Sequence, residues 1–156
     1  MLTRARHLPV VELHAGDAVV REGGAAGSVW VLESGALEVR KGDVVVNTIS
    51  RPGALIGEMS LLLGAEHGAT VVATETSRLR VAEQGSTLLE DPAITRLVAV
   101  GLAERLRFVT AYLADLKDQY GDAPGLSMVS DVLSRLSSQD VVPARPGSAR
   151  DPDPDY

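Results

Sequence analysis

The side chains able to do chemistry gather between Gly53 and Ala73, where an apolar run ends in Gly57-Glu58 and a β-branched run, Thr70-Val71-Val72, closes the stretch. Gly57 removes a side chain where backbone must come close to something. Met59, Leu61, Leu62 and Leu63 predict one short, mostly buried helical turn, stopped by Gly64. Such a turn aims the N–H groups of about residues 58 to 60 at whatever lies beside Gly57, and a helix start attracts anions. Yet Glu58, itself an anion, stands there. A ligand with both a hydroxyl and a phosphate reconciles the two, because the carboxylate accepts the hydroxyl and the amides hold the phosphate. Without a ligand, the plain alternative is that Glu58 caps the helix at Ser60 or Leu61.

Other chemistries find little support. The histidines are His7, His14 and His67, with neither H-x-H nor H-E-x-x-H spacing. Two single-histidine alternatives stand: His14 opening a jelly-roll metal motif, and His67 as an axial haem ligand. The chain has no cysteine, which excludes disulfides and thiol catalysis. The expectation is therefore no enzyme and no metal. A net charge of −6, from 21 acids against 15 bases, argues against a nucleic-acid surface. No apolar run reaches the roughly 18 residues of a membrane span, so a soluble, cytoplasmic chain is expected.

The surrounding elements follow from period and punctuation. Short β-rich runs predict strands over Val10–Leu13, Ala18–Arg21, Val29–Leu32, Ala36–Arg40, Val44–Ile49, Leu55–Ile56, Ala69–Thr74 and Arg78–Val81. This spacing predicts an antiparallel barrel or a double-sheet jelly roll. Lys41-Gly42-Asp43 reads as a tight hairpin turn, and Trp30 as core. From Asp91-Pro92 the period changes to a long helix over Ala93 to Tyr120, ended by Gly121. Leu102, Leu106, Val109, Leu113, Leu116 and Tyr120 form a heptad-like seam suited to another helix. Leu97, Gly101, Phe108 and Tyr112 form a second stripe, expected to cover the barrel. At about 1.5 Å per residue the helix would run roughly 40 Å, more than a small barrel covers.

The central stretch resembles the phosphate-binding cassette of the cyclic-nucleotide-binding domain, the sensor module of catabolite activator proteins, cyclic-nucleotide-dependent kinases and gated channels. Gly57-Glu58-Met59-Ser60-Leu61-Leu62, then His67-Gly68-Ala69-Thr70-Val71, stand against a family pattern of G-E-(L/M)-(A/S)-L-L and R-(A/S)-A-(T/S)-V. The glycines of Gly16-Asp17, Glu22-Gly23, Ser34-Gly35 and Pro52-Gly53 fit as well, so the resemblance runs over about residues 8 to 120. It implies an antiparallel β-roll, a jelly-roll-like barrel, followed by a long C-terminal dimerisation helix, with Glu58 taking the ribose 2′-hydroxyl and Gly57, Met59, Ser60, Gly68 and Ala69 presenting backbone to the phosphate. Thr70 is a weaker hydroxyl donor. Thr110, on the long helix, falls near the purine, with back-bonding to its own helix as the equal alternative. The family arginine that grips the phosphate is His67 here. Arg78 and Arg80, two positions apart on one strand face, are candidate substitutes for it, with a simply solvated pair as the commoner alternative.

The expected function is a stand-alone cyclic-nucleotide sensor, for cAMP first and cGMP second, weakened by His67. It would signal through its helix to a protein effector and form a homodimer through residues 93–120. The alternative is a degenerate fold that binds no nucleotide and serves as a dimerising scaffold. The expected layout is a binding domain over 1–121, a short amphipathic helix within 122–138, and a disordered tail over 139–156. Residues 122–156, with six acids against three arginines, hold no helix-turn-helix, so no DNA binding is expected.

Overall fold

The computed structural model describes residues 1–120 and 127–137. In chain order these form β1 (Val10–Leu13), β2 (Ala18–Val20), β3 (Val29–Ser34), β4 (Leu37–Lys41), β5 (Val44–Ile49) and β6 (Leu55–Ile56). The chain continues with α1 (Glu58–Leu63), β7 (Thr70–Ala73), β8 (Ser77–Ala82), α2 (Gly85–Leu89), α3 (Pro92–Tyr120) and α4 (Ser127–Ser137). Every predicted strand is present, with bounds within two residues of expectation. Only the short α2 has no counterpart in the sequence reading. Gly121 and the Pro/Asp-rich tail lie outside the described residues.

The strands make two four-stranded sheets, ordered β1-β8-β3-β6 and β2-β7-β4-β5, with every pairing antiparallel. This is the β-roll expected, as two sheets rather than a closed barrel. Alternation decides what faces inward. On β7, Val71 and Ala73 are buried while Thr70 and Val72 are half-buried. Val20, Leu32, Leu37, Ile56, Val71, Ala73 and Leu79 form one core drawn from both sheets, and Trp30 packs partly buried against it. The edge strand β5 departs from this, since Val44, Val45 and Val46 are all exposed.

Two compact units divide the chain, Met1–Ala99 and Val100–Tyr156, with the boundary inside α3. Asp91 caps α3 as predicted, its Oδ1 accepting the Ala93 N–H at 2.9 Å. That bond, ahead of the nearby Arg4 charge, holds the Asp91 carboxyl below its ordinary range. The cap sets the rotational phase of the helix, and the inward residues are Ile94 and Val98, one turn apart. Leu97, in the first unit, is exposed rather than turned onto the sheets. Among the described residues no helix is long and apolar enough to cross a membrane.

The turn between β3 and β4 shows how tightly the first unit is built. Gly35 has φ +100°, and a Cβ there would fall 2.2 Å from Ser77 Oγ and 2.6 Å from Ser77 Cα. Ser77 is wholly buried, donating to the Glu75 carbonyl at 2.9 Å and accepting the Ala36 N–H at 3.2 Å. Gly35→Ala should thus cost about 2–4 kcal/mol, left-handed strain plus overpacking. Urea denaturation measures it, and an unchanged midpoint would mean the turn relaxes freely.

Candidate functional site

Gly57 sits at the N-cap position of α1 with φ 90° and ψ −9°. An added Cβ would lie 2.8 Å from the Ser28 carbonyl oxygen and 3.3 Å from the Trp30 ring. Glycine is required there on both counts, the positive φ and the close approach. β3 supplies the Trp30 ring, so the sheet core and the start of α1 are fitted to each other.

The six-residue helix α1 is inverted relative to expectation. Its buried residues are Glu58 (4% exposed) and Ser60 (8%), whereas Met59 is 50% and Leu63 74% exposed, with Leu62 also exposed. The expected mostly buried apolar turn is thus corrected. The reason is short length and phase: Gly57 fixes the entry angle, and the residues rotated inward from it are polar. Buried polar groups must find partners. Ser60 Oγ finds the His67 ring, with Nδ1 at 3.1 Å, and His67 itself is only 6% exposed. The imidazole also lies tilted against Trp30, ring centroids 6.5 Å apart at 55°.

The limb that carries His67 is held from both sides. The Gly23 N–H donates to the His67 carbonyl at 2.8 Å, and the His67 N–H donates to the Gly24 carbonyl at 2.9 Å. The Glu22 N–H donates to Thr70 Oγ1 at 3.0 Å. Lys41, in the predicted hairpin, donates its Nζ to the Glu22 carboxylate and to the Gly68 carbonyl, the latter at 2.8 Å. The Gly42 N–H adds a bond to Glu22 Oε2 at 3.1 Å. The Lys41 bond first, then the Gly42 N–H, keeps the Glu22 carboxyl below its ordinary range. A depressed carboxyl stabilises the fold above its unfolded value and loses that contribution as pH falls through the folded one.

The structure therefore brings Gly57, Ser60 and His67 around Trp30, with Glu58 buried in the same turn, and ties Gly68 and Thr70 to the β4–β5 hairpin. Ala69 is half-buried between them, and Met59 points outward. Thr110 belongs to the second unit, half-buried on α3. Arg78 and Arg80 are not substitutes for a phosphate-gripping arginine. They lie on β8, in the other sheet. Arg80 donates to the Arg6 and Leu8 carbonyls at 2.8 and 3.1 Å and to Glu33 Oε1 at 2.7 Å. Arg78 stands 3.6 Å from Glu33 Oε2, an oxygen with no hydrogen-bond partner. Lys41, Glu22 and Trp30 were missed as site residues. The only signal for them was the Gly23-Gly24 pair and the tight hairpin. Among the described residues no group of three or more His, Cys, Asp or Glu could hold a metal.

Two four-stranded antiparallel sheets followed by a long helix, with a polar turn buried beside a glycine, define a β-roll. The family described as "Cyclic nucleotide-binding domain" matches residues 10–89, and the chain belongs to that family. It is 34% identical over 124 residues to a cAMP-dependent protein kinase regulatory subunit of Mycosarcoma maydis, covering 74% of this chain and 21% of that protein. A regulatory subunit of the same description from Blastocladiella emersonii is 43% identical over 70 residues, covering 42% of this chain and 17% of that one. The chain thus spans about a fifth of these relatives. Among solved structures, the Thermus thermophilus catabolite activator protein matches with TM-score 0.59 at 23% identity, covering 93% of this chain and 85% of that one. A structure titled "Sp-2Cl-cAMPS bound to PKAR CBD2" matches with TM-score 0.58 at 18% identity, covering 73% and 75%. Both show the shared fold.

The Ser60–His67 contact is open to a direct check. Ser60→Ala leaves a ring nitrogen of a buried imidazole without its partner, and should cost about 1–2 kcal/mol in urea denaturation. An unchanged stability would mean the ring re-pairs elsewhere.

Proposed function

We propose that this domain is a cyclic-nucleotide sensor, not an enzyme, binding cAMP in preference to cGMP. The observation that carries this reading is the inward polar face of α1, with Glu58 and Ser60 buried beside Gly57 on the segment that the family match includes. A carboxylate and a hydroxyl are turned inward at the expense of three apolar side chains left in water. Gly57 sets that rotation, and a ligand carrying both a hydroxyl and a phosphate is the chemistry such a face would suit. In this reading Glu58 accepts the ribose hydroxyl, and the backbone of Met59, Ser60, Gly68 and Ala69 faces the cyclic phosphate. α3 carries the signal to a protein effector. The domain works in the cytoplasm and binds no DNA by this stretch of chain.

His67 sets the strength. Arginine offers a permanent charge and a planar fork to a phosphodiester, whereas a neutral imidazole offers one donor. Losing one charge-assisted hydrogen bond costs about 1.5–3 kcal/mol, roughly 10- to 150-fold in affinity. A second reading is favoured by one specific observation: the ring is buried and already bonded to Ser60. On that reading the site is self-satisfied, binds no nucleotide, and the domain is a dimerising scaffold. Calorimetric titration with cAMP and cGMP, carried to millimolar ligand, separates the two. Binding, together with a loss of roughly tenfold or more in Glu58→Ala on the scale of a hydrogen bond to a charged group, supports the sensor. No heat from either nucleotide leaves the scaffold.

We also infer a homodimer through α3. Leu106, Val109 and Tyr120 of the heptad-like seam are exposed on it. Light scattering should give twice the chain mass, and Leu106→Glu with Leu113→Glu should return it to that of one chain. A mass of one chain for the unaltered protein would remove the dimer.

A further inference from the structure

Two of the hydrogen bonds that reach the limb 67–70 from outside the stretch 57–71 come from Lys41 and Glu22. Lys41, at the end of β4, reaches across to the Gly68 carbonyl at 2.8 Å while paired with Glu22. Glu22 in turn holds Thr70 Oγ1 through its own N–H at 3.0 Å and receives the Gly42 N–H at 3.1 Å. The ion pair is exposed, at 54% for Lys41 and 36% for Glu22. Exposed pairs add little to stability. Its geometric consequence is larger.

Gly68 lacks the side chain that would restrict its backbone, and a Cβ built there would meet nothing within 4 Å. Packing therefore does not set the orientation of the peptide that follows it, and glycine alone leaves that peptide loosely defined. A trans peptide carries its C=O and N–H on opposite edges, and the protein has no cis peptide bonds among the described residues. Fixing the Gly68 carbonyl toward Lys41 fixes the Ala69 N–H in the opposite direction. In the same way, the Gly23 N–H on the His67 carbonyl fixes the Gly68 N–H. We propose that Lys41 is a positioning residue: held by Glu22, it orients the Gly68–Ala69 peptide so that the limb presents its backbone donors to an anionic ligand in one fixed direction.

Its effect on affinity rests on the cyclic-nucleotide reading, and its effect on the peptide does not. Two measurements on the full chain keep these apart. Lys41→Met keeps the stem and removes the ammonium, and Lys41→Arg restores a donor of similar reach. In the ligand-free protein, Lys41→Met should move the Gly68 and Ala69 amide resonances in a ¹⁵N correlation spectrum, with the melting temperature nearly unchanged. Lys41→Arg should return them toward the original positions. Titration with cAMP should then show Lys41→Met weakened by roughly fivefold, the scale of one hydrogen bond, and Lys41→Arg largely rescued. Glu22→Gln, which leaves Lys41 without its charged tether, should move the same two amides in the same direction. Unmoved amides in Lys41→Met overturn the proposal, as does unchanged cAMP affinity in that variant. If the unaltered protein binds no cAMP, the nucleotide reading falls, and the amide positions alone decide for or against Lys41.

Discussion

The burial of Glu58, Ser60 and His67 beneath and beside a six-residue helix is the constraint on which the first unit depends. Polar groups taken out of water are tolerated only with partners in place, because an unmet hydrogen bond in a poorly solvated site costs more than a made one contributes. That requirement propagates outward. Ser60 needs the His67 ring, His67 needs its peptide bracketed by Gly23 and Gly24, and α1 needs a start close enough to β3 that only glycine fits against Ser28 and Trp30. Trp30 serves two masters here, since it leans on the core between the sheets and also supports the Gly57 turn and the imidazole.

Holding the polar turn leaves its other face in water. Met59, Leu62 and Leu63 are exposed because a helix of barely two turns cannot put both its polar and its apolar residues inside. Hydrophobic burial alone would have chosen the opposite rotation. The balance is tipped by the fixed entry at Gly57 and by the hydrogen bonding available beneath it. Something similar holds at β5, where three successive valines lie exposed on a sheet edge while the hairpin they belong to delivers Lys41 to the limb 67–70. In both places apolar surface stays wet where an element positions polar groups.

The cation near the limb also differs in kind from an arginine in the ligand site. Lys41 contacts a carbonyl and a carboxylate, so its charge is largely answered within the protein. It is suited to orienting backbone rather than to neutralising a phosphate. His67, with one nitrogen on Ser60, contributes shape and a single remaining nitrogen.

By itself the sequence determined the order of the strands and their bounds to within two residues, the Asp91-Pro92 start of α3 and the glycine at the head of α1. These are local matters: period-2 alternation, turn residues and caps act over a few neighbours, and they read the same before and after folding. Tertiary structure alone decided which face of α1 turned inward, because the rotation of so short a helix is set by what Gly57 packs against rather than by its own hydrophobicity. It also decided that Ile94 and Val98, not Leu97, lie inside. And it decided that Lys41 and Glu22 bond to the limb 67–70 at all. They meet Gly68 and Thr70 across 27 and 48 positions of sequence, a pairing that sheet register creates and no local pattern announces.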